Sequence, residues 1–349
     1  MKRAEWIDSC RFFAIFVIMV THFIDKVSPA LLQLWEVPPT SWFLYGLTGK
    51  FSVAFFFVLL GYFASKPANF SFSSIVTYSV RRYFQFAFYV FIVTAIYICG
   101  SYVVTWLFHS PDDSVMRVIS DGFQYNLIYL IRDAFFFESN YNATLWCMQQ
   151  LFIASLICRA LAYIPEKAPI VLRFLVSIVL ILIFMAIDPS YCVWICAAIL
   201  GYLLRLLIEA SHRFKFLRSA PLLTIFALTA LLFIKLKMPE SALQYSLQSL
   251  AAFMLIYLQF NLPFIQDQLS KKPFPWLGGI SIGLFVVHTP VNALIYSSIY
   301  CALSSFISKA ATAFICFVLS FAICVIFSWM LKAAYDYTTR IFRRQKLKV

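Results

Sequence analysis

Long apolar runs separated by short polar stretches make up most of this chain. Ten of the runs approach the roughly 20 residues that an α-helix needs to cross the hydrocarbon core of a bilayer. They predict spans near residues 12–32, 42–64, 83–107, 144–163, 170–187, 191–208, 221–237, 242–262, 276–298 and 308–332. No connecting segment is long enough for a separate soluble domain. We therefore expect an all-α polytopic integral membrane protein, in which residues 1–349 form one transmembrane domain that ends in a basic cytoplasmic tail at 338–349.

Composition and charge agree with a membrane location. Hydrophobic residues make up 62% of the 349 residues and charged residues 12%, which is more apolar surface than a soluble core can bury. If the amino terminus is cytoplasmic, 21 of the 28 Lys and Arg residues fall inside and seven outside, namely Lys26, Lys50, Arg117, Arg132, Lys235, Lys237 and Lys309. This asymmetry follows the positive-inside rule and predicts a cell-membrane protein with both termini in the cytoplasm. The net charge of +13 then suits anionic membrane lipid, and no nucleic-acid partner is expected.

The longest connection, from about residue 108 to 143, is predicted to lie outside the cell. Its stretch from Tyr125 to Phe137 mixes aromatic with polar residues, a composition typical of the membrane interface. Loops of this length often cover a substrate, so a lid is one interpretation. A solvated connector with a single surface helix is the other, and the sequence does not choose between them.

Two ionisable side chains interrupt the first apolar run. Arg11 and His22 are eleven residues apart, which on an α-helix returns to within about 20° of the same face and spans ~16 Å. Arg11 would lie near the cytoplasmic headgroups and His22 beyond the bilayer centre, where a polar group needs a partner or a water-filled cavity. This placement predicts a functional pair, with Asp25, three residues after His22, as a candidate to orient the imidazole. The alternative is that His22 only hydrogen-bonds a neighbouring helix.

A second histidine is predicted at a similar depth. His288 follows Trp276 by twelve residues in a helix that runs in the same direction, which places it ~18 Å into the membrane. His288 is a further catalytic candidate, or a residue that only bonds a neighbouring helix. The nine cysteines occur without zinc-ligand spacing, so no metal site is predicted. Gly279 and Gly283 form a GxxxG pattern that indicates close helix contact.

Several of these residues lie in motifs that resemble a known family. Asp8-Ser9-Cys10-Arg11 with His22, an Arg-X10-His pattern, is similar to the first helix of the membrane-bound acyltransferase-3 family, whose members O-acetylate sugars of cell-surface polysaccharides. Three further stretches resemble that family's motifs in the same order: Phe55–Tyr62, Arg81–Phe84, and the Leu-Gly-x-x-Ser…His segment at Leu277–His288. The resemblance extends from residue 8 to about 290.

Three motifs depart from the family's pattern. Leu60 stands where the family usually has Ser, so a hydroxyl is not required there in this protein. Gln85 and Phe88 replace the second Arg and the Pro of the basic motif, which leaves its charge to the residues before them. The Trp-centred stretch Leu145–Leu151 contains no carboxylate, although the family's motif often ends in Glu.

The resemblance implies an acyltransferase that transfers groups other than amino-acyl groups. It would use acetyl-CoA or another acyl-CoA as donor substrate, without a permanently bound cofactor. Arg81 and Arg82, with Arg11 nearby, would bind the donor's phosphates by charge-assisted hydrogen bonds, whereas simple topology anchoring is the alternative role. His22, kept neutral by burial, would remove a proton from the acceptor hydroxyl or accept the acetyl group itself. The acceptor would be a polysaccharide or a lipid-linked saccharide.

Two other kinds of protein also suit ten helices with buried ionisable residues. One is a proton-coupled transporter or lipid-sugar flippase. Against it, the chain has only nine glycines and no matched pair of Gly/Pro-broken helices of the kind that carriers use. The other is a non-enzymatic membrane scaffold, which leaves the Arg11 and His22 stripe unexplained. The acyltransferase is therefore the favoured hypothesis.

Overall fold

A computed structural model describes residues 5–31, 49–64, 72–109, 112–142, 145–164, 168–211 and 241–346. These residues form helices joined by turns and short connections, and no β-strand occurs among them. The all-α prediction is therefore confirmed for this part of the chain. The helices are α1 (Glu5–Leu31), α2 (Gly49–Tyr62), α3 (Phe72–Phe108), α4 (Asp113–Ser120), α5 (Gly122–Ala134), α6 (Leu145–Leu161), α7 (Ile170–Ile187), α8 (Pro189–Ser211), α9 (Ala242–Phe260), α10 (Pro263–Leu269), α11 (Phe274–Gly279), α12 (Ser281–Ile295) and α13 (Lys309–Lys346).

Nine of the ten predicted spans fall on these helices, and the tenth, near 221–237, lies outside the described residues. The count of ten is nevertheless not confirmed. Within the described ranges, six helical segments are long and apolar enough to cross a membrane, and a seventh is obtained if α9 and α10, which are bent by 95°, form one broken span. Helices α2 and α6 have only 14 and 17 residues. At about 1.5 Å per residue, both are shorter than a bilayer core of ~30 Å.

The packing divides the chain into two compact units. One comprises Met1–Ile18, Thr40–Val80 and Gln150–Gly278, and its centre is the crossing of α2 with α8. A Cβ atom on Gly61 would lie 1.7 Å from the carbonyl oxygen of Ala198, and one on Gly201 would lie 1.9 Å from that of Val58. Glycine at both positions therefore lets the two backbones touch, as in other closely packed membrane helices.

The first turns of α1 belong to the same unit and pack against the end of α9 and against α11. Trp6 meets the ring of Phe260 edge-on at 4.7 Å. A Cβ atom on Gly278 would lie 1.8 Å from the carbonyl oxygen of Asp8. The close contact in this region is thus made by Gly278, because Gly279 has no neighbour within 4 Å of such an atom.

The other unit comprises Met19–Pro39, Arg81–Gln149 and Gly279–Val349. Helix α12 packs along α13 and continues as a π-helical turn, Tyr296–Tyr300, and a final α-turn, Cys301–Leu303. Gly283 of α12 lies against Ser328, whose Cβ would be 2.8 Å from an added methyl group. The predicted GxxxG contact is therefore made by Gly283 and not by Gly279.

The long connection in this second unit is built from two short helices, α4 and α5. Buried Asp133 ties its end together by accepting hydrogen bonds from the backbone and side-chain nitrogens of Asn140, at 2.8 and 3.0 Å, and from the backbone of Tyr141 at 3.2 Å. Burial raises the pKa of Asp133 and these hydrogen bonds oppose that rise. Large apolar side chains on α5 are exposed, which agrees with the expected interface location: Phe123, Tyr125, Leu127, Ile128 and Ile131.

Candidate active site

Two histidines from distant parts of the sequence meet in the second unit. The ring centroids of His22, on α1, and His288, on α12, are 5.4 Å apart and the rings are inclined by 32°. The sequence predicted a similar depth for these two residues, and in the structure their rings lie side by side. His22 is half-buried, whereas His288 is completely buried. Of the two rings, that of His22 is the more exposed.

The surroundings of His288 fix its tautomer. Its Nδ1 lies 2.8 Å from the carbonyl oxygen of Phe285 and 3.2 Å from that of Leu284. Carbonyl oxygens only accept hydrogen bonds, so Nδ1 carries the proton and the lone pair of the neutral ring is on Nε2. The hydroxyl of Thr289, 3.2 Å away, donates to Nε2. His288 is thus held by its own helix with an accepting nitrogen at the other edge of the ring.

Arg11 lies in the first unit, near the start of α1. Its Nη1 is 3.5 Å from Oδ1 of Asp8, and its guanidinium stands 5.2 Å from the centre of the Phe63 ring. An ion pair and a cation–π contact together hold the planar guanidinium in one orientation. Helix α1 is unbroken from Glu5 to Leu31, as the eleven-residue spacing to His22 requires. The side chain of Asp25 lies outside the described residues, so its role stays a prediction.

The two predicted donor-binding arginines differ in their surroundings. Arg81 is exposed, whereas Arg82 is half-buried and stands 4.3 Å from the centre of the Phe86 ring. Nη1 of Arg82 donates a 2.9 Å hydrogen bond to Oε1 of Gln85. Both arginines begin the part of α3 that belongs to the second unit, which is also the unit that contains the histidine pair.

Comparison with known families agrees with the motifs. Residues 4–329 match the acyltransferase-3 family model, which is described as an acyltransferase domain. The chain belongs to the acyltransferase-3 family. This membership makes the protein a membrane acyltransferase, and it favours that function over the transporter and the scaffold. No curated protein and no solved structure gives a significant match.

The structure shows the surroundings of the residues that depart from the acyltransferase-3 motifs. Leu60 is buried in the apolar body of α2. Gln85 replaces a basic residue and instead binds Arg82, so one side chain of the motif now orients another. Gln149 of the Trp-centred stretch donates to the carbonyl oxygen of Phe136.

Two asparagines near His288 were not found from the sequence. Asn142 Nδ2 donates a 2.8 Å hydrogen bond to the carbonyl oxygen of Val286, two residues before His288. Asn292, one turn after His288, is 3% exposed, and its Nδ2 has no hydrogen-bond partner among the described residues. For Asn142 the available signal was Pro290, inside an apolar helix. A proline leaves one helix carbonyl without its N–H partner, so another donor must satisfy that carbonyl.

Proposed function

We propose that this acyltransferase moves an acetyl group from cytoplasmic acetyl-CoA to a hydroxyl of a cell-surface polysaccharide or a lipid-linked saccharide. It would act in the cell membrane, with both termini in the cytoplasm and anionic lipid around its basic segments. The observation that carries the proposal is the pairing of His22 with His288 at 5.4 Å, because each belongs to a family motif and the two come from opposite ends of the chain. Acetyl is chosen as the acyl group from the family resemblance.

The half-buried ring of His22 suits it to act on the acceptor. Neutral His22 takes the hydroxyl proton as the oxygen attacks the thioester carbonyl, a C–O bond forms, and the C–S bond then breaks. The proton passes to the departing thiolate, so that an ester and free CoA are the products. In the covalent variant of this mechanism a C–N bond forms between the ring of His22 and the acetyl group as the C–S bond breaks and CoA leaves. The hydroxyl then attacks the acyl-histidine, the C–N bond breaks, and the hydroxyl proton passes to the released thiolate.

The neighbouring imidazole gives the His22 ring a fixed neighbour, because the two ring centroids are 5.4 Å apart. His288, fixed by two backbone carbonyls, is the static member of this pair.

The donor would be held by its phosphates. Arg81 and Arg82 supply two positive charges at the predicted cytoplasmic side, and the guanidinium fork suits phosphate oxygens. The narrow pantetheine arm would carry the thioester from there to His22. Arg11, which the sequence predicts to support His22, is oriented by Asp8 and Phe63.

The experiment that tests this function follows both products of the reaction. Purified protein in lipid nanodiscs receives acetyl-CoA labelled in the acetyl group together with a lipid-linked saccharide or polysaccharide acceptor. Label that appears as a base-labile ester on the acceptor, with an equal amount of free CoA, supports the proposal. Release of CoA and acetate without an ester, or movement of the intact saccharide across the bilayer without an ester, would contradict it.

A further inference from the structure

The connection between α3 and α6 is attached to the helix that carries His288. Near its start, Asp112 donates its backbone N–H to Oγ of Ser297 at 3.0 Å. Its last described residue, Asn142, donates to the carbonyl oxygen of Val286 at 2.8 Å. Between these points, Val115, Val118 and Tyr141 pack with Ala293 and Tyr97 in a buried apolar cluster. We call residues 112–142 the strap.

The three attachment points on α12 and the turn after it lie on one side of that helix. Ala293 and Ser297 follow Val286 by seven and eleven residues, which at about 100° per residue keeps each within roughly 20° of Val286. His288 is two residues after Val286 and therefore projects about 200° away, on the opposite side. The strap thus supports the back of α12, and the face that carries His288 is left to the active site.

The hydrogen bond from Asn142 replaces one that the helix cannot make. In a regular α-helix the carbonyl of Val286 would accept the N–H of residue 290, but that residue is Pro290, which has none. A buried carbonyl without a donor is costly, and Asn142, itself 1% exposed, supplies the donor. The peptide groups concerned belong to the turn whose carbonyls, at Leu284 and Phe285, hold the imidazole of His288.

We propose that Asn142 is a positioning residue for the acyl transfer, which fixes the His288 turn by satisfying the carbonyl that Pro290 leaves free. This role rests on the proposed function, because His288 is placed there as the partner of His22. Without the donor from Asn142, the peptide group of Val286 would rotate towards another hydrogen-bond donor. The carbonyls that hold His288 would move with it. The strap would in this respect contribute to the active site from behind α12, by fixing the turn that holds His288.

A double-mutant cycle tests this role. Asn142→Ala should lower kcat at least tenfold with little change in the KM for acetyl-CoA, because the donor site is not touched. In a Pro290→Ala background, residue 290 regains its N–H, the helix satisfies Val286 by itself, and the same Asn142→Ala change should cost less than threefold. Asn142→Gln, which keeps an amide donor on a longer arm, should retain part of the activity. Arg132→Gln, which breaks only the exposed strap ion pair with Glu138, should leave kcat unchanged.

The same cycle is read in thermal unfolding, which does not depend on the enzyme's activity. Asn142→Ala should lower the Tm of the parental protein and have a much smaller effect in the Pro290→Ala background. Equal losses of Tm and kcat in both backgrounds would overturn the positioning role. If the parental protein transfers no acyl group at all, the proposed function fails, while the Tm cycle still decides whether Asn142 replaces the missing N–H.

A different observation points to Asn292. Its side chain is almost completely buried, and its Nδ2 donor has no partner in the part of the chain that the structure describes. Buried donors are rarely left unpaired, and one that is needs an explanation, of which a catalytic role is one. Asn292 follows His288 by four residues, so the two side chains lie about one turn apart on the same side of α12.

We infer that Nδ2 of Asn292 donates to the thioester carbonyl oxygen, which becomes an oxyanion when the acceptor hydroxyl attacks. This inference also rests on the proposed function, since it concerns the same reaction. A fixed donor at a developing oxyanion typically contributes on the order of 10²-fold to kcat. An apolar side chain at position 292 would give a more stable protein, because the unpaired amide lowers the free energy of unfolding. A role in catalysis explains why the amide is present.

Replacement by an apolar residue of similar size separates the two effects. Asn292→Leu should lower kcat on the order of 10²-fold while the Tm stays the same or rises, because an unpaired buried donor is removed. Ser320→Ala is the matched control, since its Oγ is also buried and unpaired among the described residues, and it should keep full kcat. Full activity of the Asn292→Leu enzyme would overturn the assignment, and so would an equal loss in Ser320→Ala. Undiminished transfer by an enzyme in which only His22 is replaced would instead count against the proposed function.

Discussion

At the scale of single residues, the sequence identified the histidines but not what holds them. The eleven-residue spacing indicated a functional pair of Arg11 with His22, and His288 was predicted at a similar depth, but the contact between the two histidines was not predicted. The tautomer of His288 depends on where the carbonyls of Leu284 and Phe285 point, which is a property of the folded helix. Likewise, Pro290 indicated that the carbonyl of Val286 lacks its helical donor. Nothing local in the sequence shows that Asn142, 144 residues away, supplies that donor.

The basic motif at the start of α3 gives a prediction about donor binding. Changing both Arg81 and Arg82 to Gln should raise the KM for acetyl-CoA, because two charges for its phosphates are lost, while the protein still inserts and accumulates normally. Steady-state kinetics in detergent or nanodiscs measure this. Arg117→Gln with Arg132→Gln, two exposed arginines of the strap, form a control of equal charge change. An unchanged KM would leave the α3 pair with a topology-anchoring role only.

The contacts of Arg11 lead to a second residue-scale prediction. Arg11→Lys keeps the positive charge but loses the planar group that stands over Phe63 beside Asp8. We expect an intermediate loss of kcat/KM, smaller than that caused by replacing His22. An Arg11→Lys enzyme with parental kcat/KM would show that charge alone suffices at this position.

At the scale of helices, apolar length located the elements, whereas the count of ten spans is not confirmed. Nine predicted spans fall on helices, yet α2 and α6 are too short to cross a full bilayer core unaided. Helix contacts were also mislocated in part, because the GxxxG pattern pointed to Gly279. The closest approach in the first unit involves isolated glycines on two helices, Gly61 and Gly201, and only the folded structure brings these together.

The crossing of α2 with α8 should be the most sensitive to small substitutions. Gly61→Ala or Gly201→Ala would press a methyl group into a backbone carbonyl at 1.7 or 1.9 Å, so one helix has to move. We expect a loss of about 1–3 kcal/mol or more, measured as a lower midpoint of thermal unfolding in detergent. Gly279→Ala is the control, because its added methyl group meets no atom within 4 Å. Similar midpoints for all three variants would contradict the close crossing.

At the scale of the whole molecule, the sequence predicted the class of protein well. Apolar runs and charge asymmetry indicated a helical membrane protein, and the motifs indicated the family that residues 4–329 match. The division of the packing into two units was not foreseen, because both units combine segments from distant parts of the chain. The acceptor could not be identified from the sequence either, because the aromatic residue types that stack on sugars also form the belts at the membrane interface.

The distribution of basic residues predicts the orientation of the molecule. With 21 of 28 Lys and Arg residues on one side, both termini should face the cytoplasm. Single cysteines placed near each terminus, on a background without the native cysteines, should react with a membrane-impermeant maleimide only after the cells are opened. In the same background, Phe123→Cys, on exposed α5, should react in intact cells. An externally labelled carboxyl terminus would rule out this topology.

The most direct test of the proposed chemistry is the transfer rate of the His22→Gln enzyme. Glutamine keeps hydrogen-bonding ability but has no basic ring nitrogen, so the substitution removes only the base. A single-turnover assay with prebound labelled acetyl-CoA then measures the rate of the chemical step. We predict a fall on the order of 10²-fold or more in the rate of ester formation, with donor binding retained. His109→Asn, which removes an exposed histidine distant in sequence from either motif, should transfer at the parental rate. A folded His22→Gln enzyme that binds acetyl-CoA and forms the ester at near the parental rate would contradict catalysis by His22.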